Sequence, residues 1–221
     1  EDACPSGVKY GELLELVKPH IELSKPSPLG LRVKRYLIVK IIPSKILFSM
    51  LFLLGRFFKP MLPPSMKAII PERVSLPALS TLPHKRKVLL LSTCVQEVVR
   101  PSIDTAAIKI FDLLGITLLP TAAAGCCGAL ALHCGYEDKA IVQAKANIDA
   151  WWPYVESGAE AIIATSSGCG LQLKGYERLL KEFPDYHEKS KRLVSLIKDP
   201  IELIDEKKLG AILQKPDRGG I

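Results

Sequence analysis

The chain has 221 residues, 48% of them hydrophobic, with a mean hydropathy of +0.20; that is enough apolar material for a real core and excludes a disordered polar chain. Net charge is +7, but the excess is local: residues 1–90 carry 15 Lys/Arg against 6 Asp/Glu, and the rest carries 15 against 17. A basic, apolar half points to an anionic membrane surface or an acidic partner rather than to nucleic acid, which a uniformly basic surface would suggest.

Six cysteines are too few for a disulfide scaffold of this size, and no cleavable signal peptide is recognisable. The compartment therefore reads as reducing, and clustered cysteines as metal or redox groups.

In chain order, Glu1 stands where a Met would open a complete protein, and Cys4-Pro5 follows at once. Cys-Pro is how a ferredoxin-type run, C-x2-C-x2-C-x3-C-P, finishes. The other end, from Lys215 to Ile221, reads as linker, so both ends are expected to be those of a fragment. A turn at Pro5-Ser6-Gly7 precedes an expected helix from Tyr10 to Val17 with Leu13, Leu14 and Val17 on its apolar face.

Residues 24–71 hold nine basic residues and no acidic one. Pro43 and Pro60 bound an expected helix over about 44–58. The apolar run falls short of the ~20 residues a spanning helix needs. Two readings stand: a helical hairpin packed on the protein or a partner, and an interfacial helix pair on an anionic bilayer. Residues 72–86, punctuated by proline, read as linker and domain boundary, with His84 solvated.

From residue 87 strands alternate with helices. Val88 to Thr93, Ile116 to Pro120 and Ala161 to Thr165 read as short buried strands. Helices are expected over about 101–114, near 128–134, from Asp138 to Trp152, and from Leu171 to Phe183. Asp104 would complement a helix dipole, and Trp151-Trp152 would cover the sheet. The pattern is α/β: a small parallel sheet flanked by helices, preceded by an all-helical basic hydrophobic segment.

Cys94 follows the first strand, Cys126 and Cys127 follow the second within Gly125-Cys126-Cys127-Gly128, and Cys169 follows the third. Loops leaving the carboxyl ends of parallel strands converge, so these four cysteines should meet in one crevice. All-cysteine ligation suits zinc or an iron–sulfur cluster, and the absence of paired C-x2-C knuckles favours the cluster. Reduced core cysteines and a thiol redox pair remain as alternatives. Cys134 reads as a core residue and His133 as structural.

Cys94, Gly125-Cys126-Cys127-Gly128 and Ser167-Gly168-Cys169-Gly170 resemble the CCG cysteine-rich domain of heterodisulfide reductase, glycerol-3-phosphate dehydrogenase and glycolate or lactate oxidase subunits. Cys4 to Glu12, Asn147 to Pro153 and Ala159 to Ile163 resemble the iron–sulfur subunit family of glycolate oxidase. The resemblance implies three parts: residues 1–23 as the tail of a ferredoxin-type domain, 24–86 as the basic helical segment and linker, and 87–221 as a CCG domain with a C-terminal linker. It implies Cys4, Cys94, Cys126, Cys127 and Cys169 as cluster ligands, 4Fe-4S clusters in the intact protein, and FAD on a partner flavoprotein subunit of a glycolate oxidase. It implies electron transfer to a membrane acceptor, in the cytoplasm at the inner membrane. The fullest CCG pattern ends in C-x2-C, whereas Gln172 stands here, which points to a smaller cluster or a structural role rather than a noncubane cluster.

Overall fold

A computed structural model describes residues 5–8, 10, 11, 13, 14, 17, 21, 24, 25, 27–61, 63–67, 70, 83–91, 93–121 and 123–213. Cys4, the bulk of the expected linker at 71–82, and the C-terminal segment 214–221 lie outside them. The described residues of the first expected helix, Tyr10, Gly11, Leu13, Leu14 and Val17, are helical, but Leu13, Leu14 and Val17 are exposed.

Four parallel strands form the sheet: β1 (Arg86–Leu90), β2 (Ile116–Pro120), β3 (Ala161–Ile163) and β4 (Ile197–Lys198), in the order β2-β1-β3-β4. Arg86 faces Ile116, Val88 faces Ala161, and Ile162 faces Ile197. The first three strands fall where the sequence puts them, β1 and β3 ending a few residues early. The fourth was not expected. Its two residues carry no readable period, and it exists because β3 leaves an edge for it to pair with.

Side chains alternate across the sheet. Leu89, Leu91 and Ile162 pack with Ile148, Trp151, Tyr176 and Leu193 on one face. Val88, Leu90 and Ile163 pack with Phe111 and Leu114 on the other. The second face is covered by α5 (Ser102–Leu113), which follows the short α4 (Gln96–Val99). The first face is covered by α7 (Glu137–Glu156) and α10 (Pro184–Leu196).

Two expected helices differ. The one expected to end at Trp152 is α7, and it runs through Pro153 to Glu156. Pro153 forfeits one hydrogen bond, but Val155 is buried behind it and holds the last turn in. The helix expected over 171–183 is two short ones, α8 (Ser167–Lys174) and α9 (Tyr176–Leu179), hinged at Gly175. A side chain at Gly175 would crowd the Gln172 carbonyl oxygen at 3.3 Å.

The basic segment forms α1 (Leu29–Ile41) and α2 (Lys45–Phe57), broken at Pro43-Ser44, with the Ser44 hydroxyl accepting from the Leu47 N–H at 3.4 Å. A 3-10 turn (Lys59–Met61) and the short α3 (Pro64–Lys67) follow. Val39 is buried against Ala131 and Ala140 of the α/β part, on α6 (Ala129–His133) and α7. Lys45 pairs with Glu97 on α4. Among the described residues no single helix is long and apolar enough to cross a membrane; α1 and α2 together pass on length and composition but are bent by 106°. The chain closes with a 3-10 turn (Pro200–Leu203) and α11 (Glu206–Leu213).

His84 is not a solvated linker residue. Its Nε2 meets Asp112 Oδ1 at 2.9 Å, and its backbone N–H donates to Thr117 Oγ1 at 2.8 Å. The entry to β1 is thereby tied to α5 and β2.

Candidate metal or redox centre

The topology delivers the sulfurs as the strand order requires. Cys94 lies in the turn after β1, Cys126 and Cys127 in the loop from β2 to α6, and Cys169 in the first turn of α8 after β3. Cys94 Sγ and Cys126 Sγ are 3.5 Å apart, Cys126 contacts Cys127, and Cys127 contacts Cys169. All four are free thiols, Cys126 and Cys127 buried, Cys94 and Cys169 half-buried. Cys134 is elsewhere, packed beside Val39, Ala131 and Ala140 as a core residue. His133 is exposed. Gln172 is buried one turn after Cys169.

The sulfurs polarise one another. Cys126 is pulled down to about 3, first by the Cys127 thiol donating to it, then by Cys94, with the Gly128 N–H assisting against burial. Cys169 is lowered chiefly by Cys127, with Ser166 assisting. Cys94 and Cys127 are raised far above the ordinary thiol range, foremost by donating to Cys126 and then by contacts with neighbouring sulfurs and burial. Raised and lowered sulfurs therefore alternate through the cluster, Cys94 and Cys127 pushed up beside Cys126 and Cys169 pulled down. Backbone N–H groups of Val95, Gly128 and Ala129 face the Cys94, Cys126 and Cys127 sulfurs.

Two buried side chains, which the sequence reading did not single out, shape the Cys-Cys loop. Asn147 of α7 accepts from the Gly125 N–H at 2.7 Å and donates to the Cys126 carbonyl at 3.0 Å and to the Tyr176 hydroxyl at 2.9 Å. Tyr176 in turn donates to the Cys127 carbonyl at 2.9 Å. Burial pushes the Tyr176 hydroxyl up, so it stays a donor. The sequence did carry a signal: Asn147 is a polar residue within the stripe Ala140, Ala144, Ile148 and Trp151, and a buried amide needs partners.

Gly128 completes the loop at φ +90°; a side chain there would approach the Ala140 backbone to 3.3 Å. Trp151, buried as expected, donates from its indole N–H to Thr121 Oγ1 at 2.7 Å at the start of the same loop.

Asp104 does more than complement a helix dipole. Its Oδ1 accepts from Gln96 Nε2 at 2.9 Å and from Thr165 Oγ1 at 2.5 Å. This joins the turn carrying Cys94 to the segment leading into Cys169. Burial raises its carboxyl, which those two bonds oppose.

The donor set fits a thiolate-bound cluster in kind: four sulfurs from three loops, with N–H groups aimed at three of them. Thr93, just before Cys94, adds a buried hydroxyl with no hydrogen-bond partner among the described residues. Among the described residues no three His, Cys, Asp or Glu side chains are posed around one metal ion. Four thiols are the donors that either zinc or an iron–sulfur cluster takes.

Comparison with known proteins agrees with this chemistry. Residues 88–174 match the cysteine-rich domain family, CCG. The glycolate oxidase iron–sulfur subunit of Escherichia coli K12 is 37% identical over 219 residues, 99% of this chain and 54% of the relative. The probable glycolate oxidase iron–sulfur subunit of Bacillus subtilis 168 is 29% identical over 90% of this chain and 50% of the relative. Lactate utilization protein A of Bacillus pumilus is 29% identical over 54% of this chain and 51% of the relative. The chain thus spans about half the length of these curated relatives. No solved structure is a significant match. Residues 88–174, which hold the converging cysteines, thus match the CCG cysteine-rich domain family, in a chain similar over nearly its whole length to glycolate oxidase iron–sulfur subunits.

Proposed function

We propose that this chain is part of an iron–sulfur electron-transfer subunit of a flavin-linked glycolate oxidase complex. The observation that carries the proposal is the meeting of Cys94, Cys126, Cys127 and Cys169 at one sheet edge in mutual sulfur contact. Similarity to glycolate oxidase iron–sulfur subunits supports the substrate of the complex. Similarity to lactate utilization proteins supports a second reading, with lactate as the acid oxidised.

In this reading hydride chemistry takes place at FAD on a partner flavoprotein, in the cytoplasm at the inner membrane, and electrons leave toward a membrane acceptor. When bound, an iron–sulfur cluster supplies one-electron storage. The chain's own residues do the rest. Cys94, Cys126, Cys127 and Cys169 would hold the cluster, and backbone N–H groups would stabilise the sulfur charge. Asn147 and Tyr176 fix the loop so that little reorganises when charge arrives, and the apolar layer of Ile148, Trp151 and Leu173 keeps water out. Cys4 would serve a separate ferredoxin-type 4Fe-4S cluster.

Anaerobic purification followed by iron and sulfide analysis and electron paramagnetic resonance tests the proposal. Stoichiometric iron, lost in Cys126→Ser and Cys169→Ser, is expected. Folded, anaerobically prepared protein without iron would refute cluster binding by this chain.

The lowered Cys126 sulfur favours a rival, a thiol reductase acting through Cys126 directly. Electron transfer that survives alkylation of the thiols would eliminate that rival.

A further inference from the structure

An exposed apolar surface lies on α2. Ile46, Met50, Leu53, Leu54 and Phe57 recur at i, i+4, i+7, i+8 and i+11, which places them on one helical face. They are 75, 57, 62, 52 and 77% exposed, so the face is turned away from the protein. The opposite side of α2 is used internally: Phe48, Phe52 and Gly55 line an apolar groove of about 280 Å³ with Leu37, Ile38 and Ile41 of α1. Leu29, Val33, Tyr36 and Leu37 of α1 are exposed as well.

The charge of the segment that carries this face has one sign. Arg32, Lys34, Arg35 and Lys40 lie on α1, Lys45 and Arg56 at the two ends of α2, and Lys59 just beyond; no acidic residue occurs between Glu22 and Glu72. An uncharged stripe on a segment this rich in cations matches the headgroup layer of an anionic membrane, where apolar side chains enter the acyl boundary and basic ones meet lipid phosphates. A helix of 13 residues is too short to span by itself; it can lie along the surface.

The helix pair is also fixed to the sulfur end of the α/β part. Lys45 in the first turn of α2 pairs with Glu97, three residues beyond Cys94. Val39 packs on Ala131 in the helix that follows the Cys-Cys loop, and Lys139 stacks over the Tyr36 ring at 5.0 Å.

We propose that the outer face of α2, formed by Ile46, Met50, Leu53, Leu54 and Phe57, seats in the surface of an anionic lipid bilayer with the flanking basic residues on the headgroups. The cysteine-bearing edge of the α/β part, to which the helix pair is fixed, is thereby brought to the membrane. The proposal deepens the membrane-acceptor part of the function above and rests on it. The experiment does not read iron, so failure of cluster binding and failure of membrane seating are told apart.

The test is flotation of the full chain with vesicles of phosphatidylcholine containing 30% phosphatidylglycerol, beside vesicles of phosphatidylcholine alone. Binding to the anionic vesicles only, weakened at high salt, is expected. Met50→Glu with Leu54→Glu should lower the bound fraction at least tenfold while the thermal melt is unchanged. As an independent reading, Phe57→Trp should gain a blue-shifted emission, quenched by brominated lipid, when anionic vesicles are added. Absence of flotation together with absence of the Phe57→Trp shift overturns the proposal. So does flotation indifferent to lipid charge, or a Met50→Glu/Leu54→Glu variant that binds vesicles normally but no longer binds the flavoprotein, which would make the face a protein interface.

Discussion

The helix pair α1–α2 and the α/β part are built from the same kinds of residue, used in opposite ways. In the α/β part Leu89, Ile148, Trp151 and Ile162 are wholly buried between sheet and helices. In α2 no residue is buried, although its sequence is at least as apolar. The contrast teaches that apolar content states a demand for burial without saying what meets it. In the sheet the demand is met by the chain's own crossovers. In α2 one side is met by α1, and among the described residues the other stays exposed.

The strongest way to break this comparison is paired truncation. Trp151→Ala should cost about 3–5 kcal/mol, since it empties the core and strands the Thr121 hydroxyl. Leu53→Ala should cost less than about 0.5 kcal/mol, as a surface change does. Urea melts of the two variants decide it; equal losses would mean that α2 is buried in solution.

A smaller effect is expected at the clamp. Asn147→Leu leaves the Gly125 N–H, the Cys126 carbonyl and the Tyr176 hydroxyl without their partner, a loss of about 2–3 kcal/mol for buried unpaired groups. Tyr176→Phe removes only the bond to the Cys127 carbonyl and the one received from Asn147 and should cost about 1–2 kcal/mol. Both should raise the alkylation rate of Cys126 in the folded, iron-free protein. Stability loss without a change in thiol reactivity would reduce the clamp to ordinary core.

The pH profile sharpens the electrostatic side of the contrast. The folded Cys126 lies at about 3, below its unfolded value of about 8.5. A depressed value contributes stability that is full above the unfolded pKa and lost as pH falls toward the folded one. Iron-free protein should therefore gain stability from pH 5 to 8, and Cys126→Ser should flatten that rise. Cys94 and Cys127 are shifted upward, so their contribution is full below about 8.5 and declines above it. An identical slope in the Ser variant would place the thiolate elsewhere.

The smallest effect belongs to Arg86–Glu160, joined by two hydrogen bonds but exposed on both sides. Glu160→Gln should cost no more than about 1 kcal/mol, and less in high salt. A larger loss in thermal melts would show that this pair fixes the register of β1 and β3.

Much of this was legible in the chain. Three strands with cysteines just beyond their ends, separated by helices, determined a parallel sheet and the convergence of Cys94, Cys126, Cys127 and Cys169, because topology alone brings such loops together. The run of cations without anions from residue 24 to 71 determined a basic helical segment, and Pro43 its break. Tertiary structure decided what depends on partners distant in sequence. It made a strand of Ile197–Lys198, carried α7 through Pro153 behind buried Val155, split the 171–183 helix at Gly175, and tied His84 to Asp112. It also recruited Asn147, Tyr176 and Asp104, whose neighbours lie 8 to 61 residues away, to hold the cysteine loops. A residue's apolar period can be read from its own segment; the group that satisfies a buried amide, hydroxyl or carboxylate is known only once the chain has folded over it.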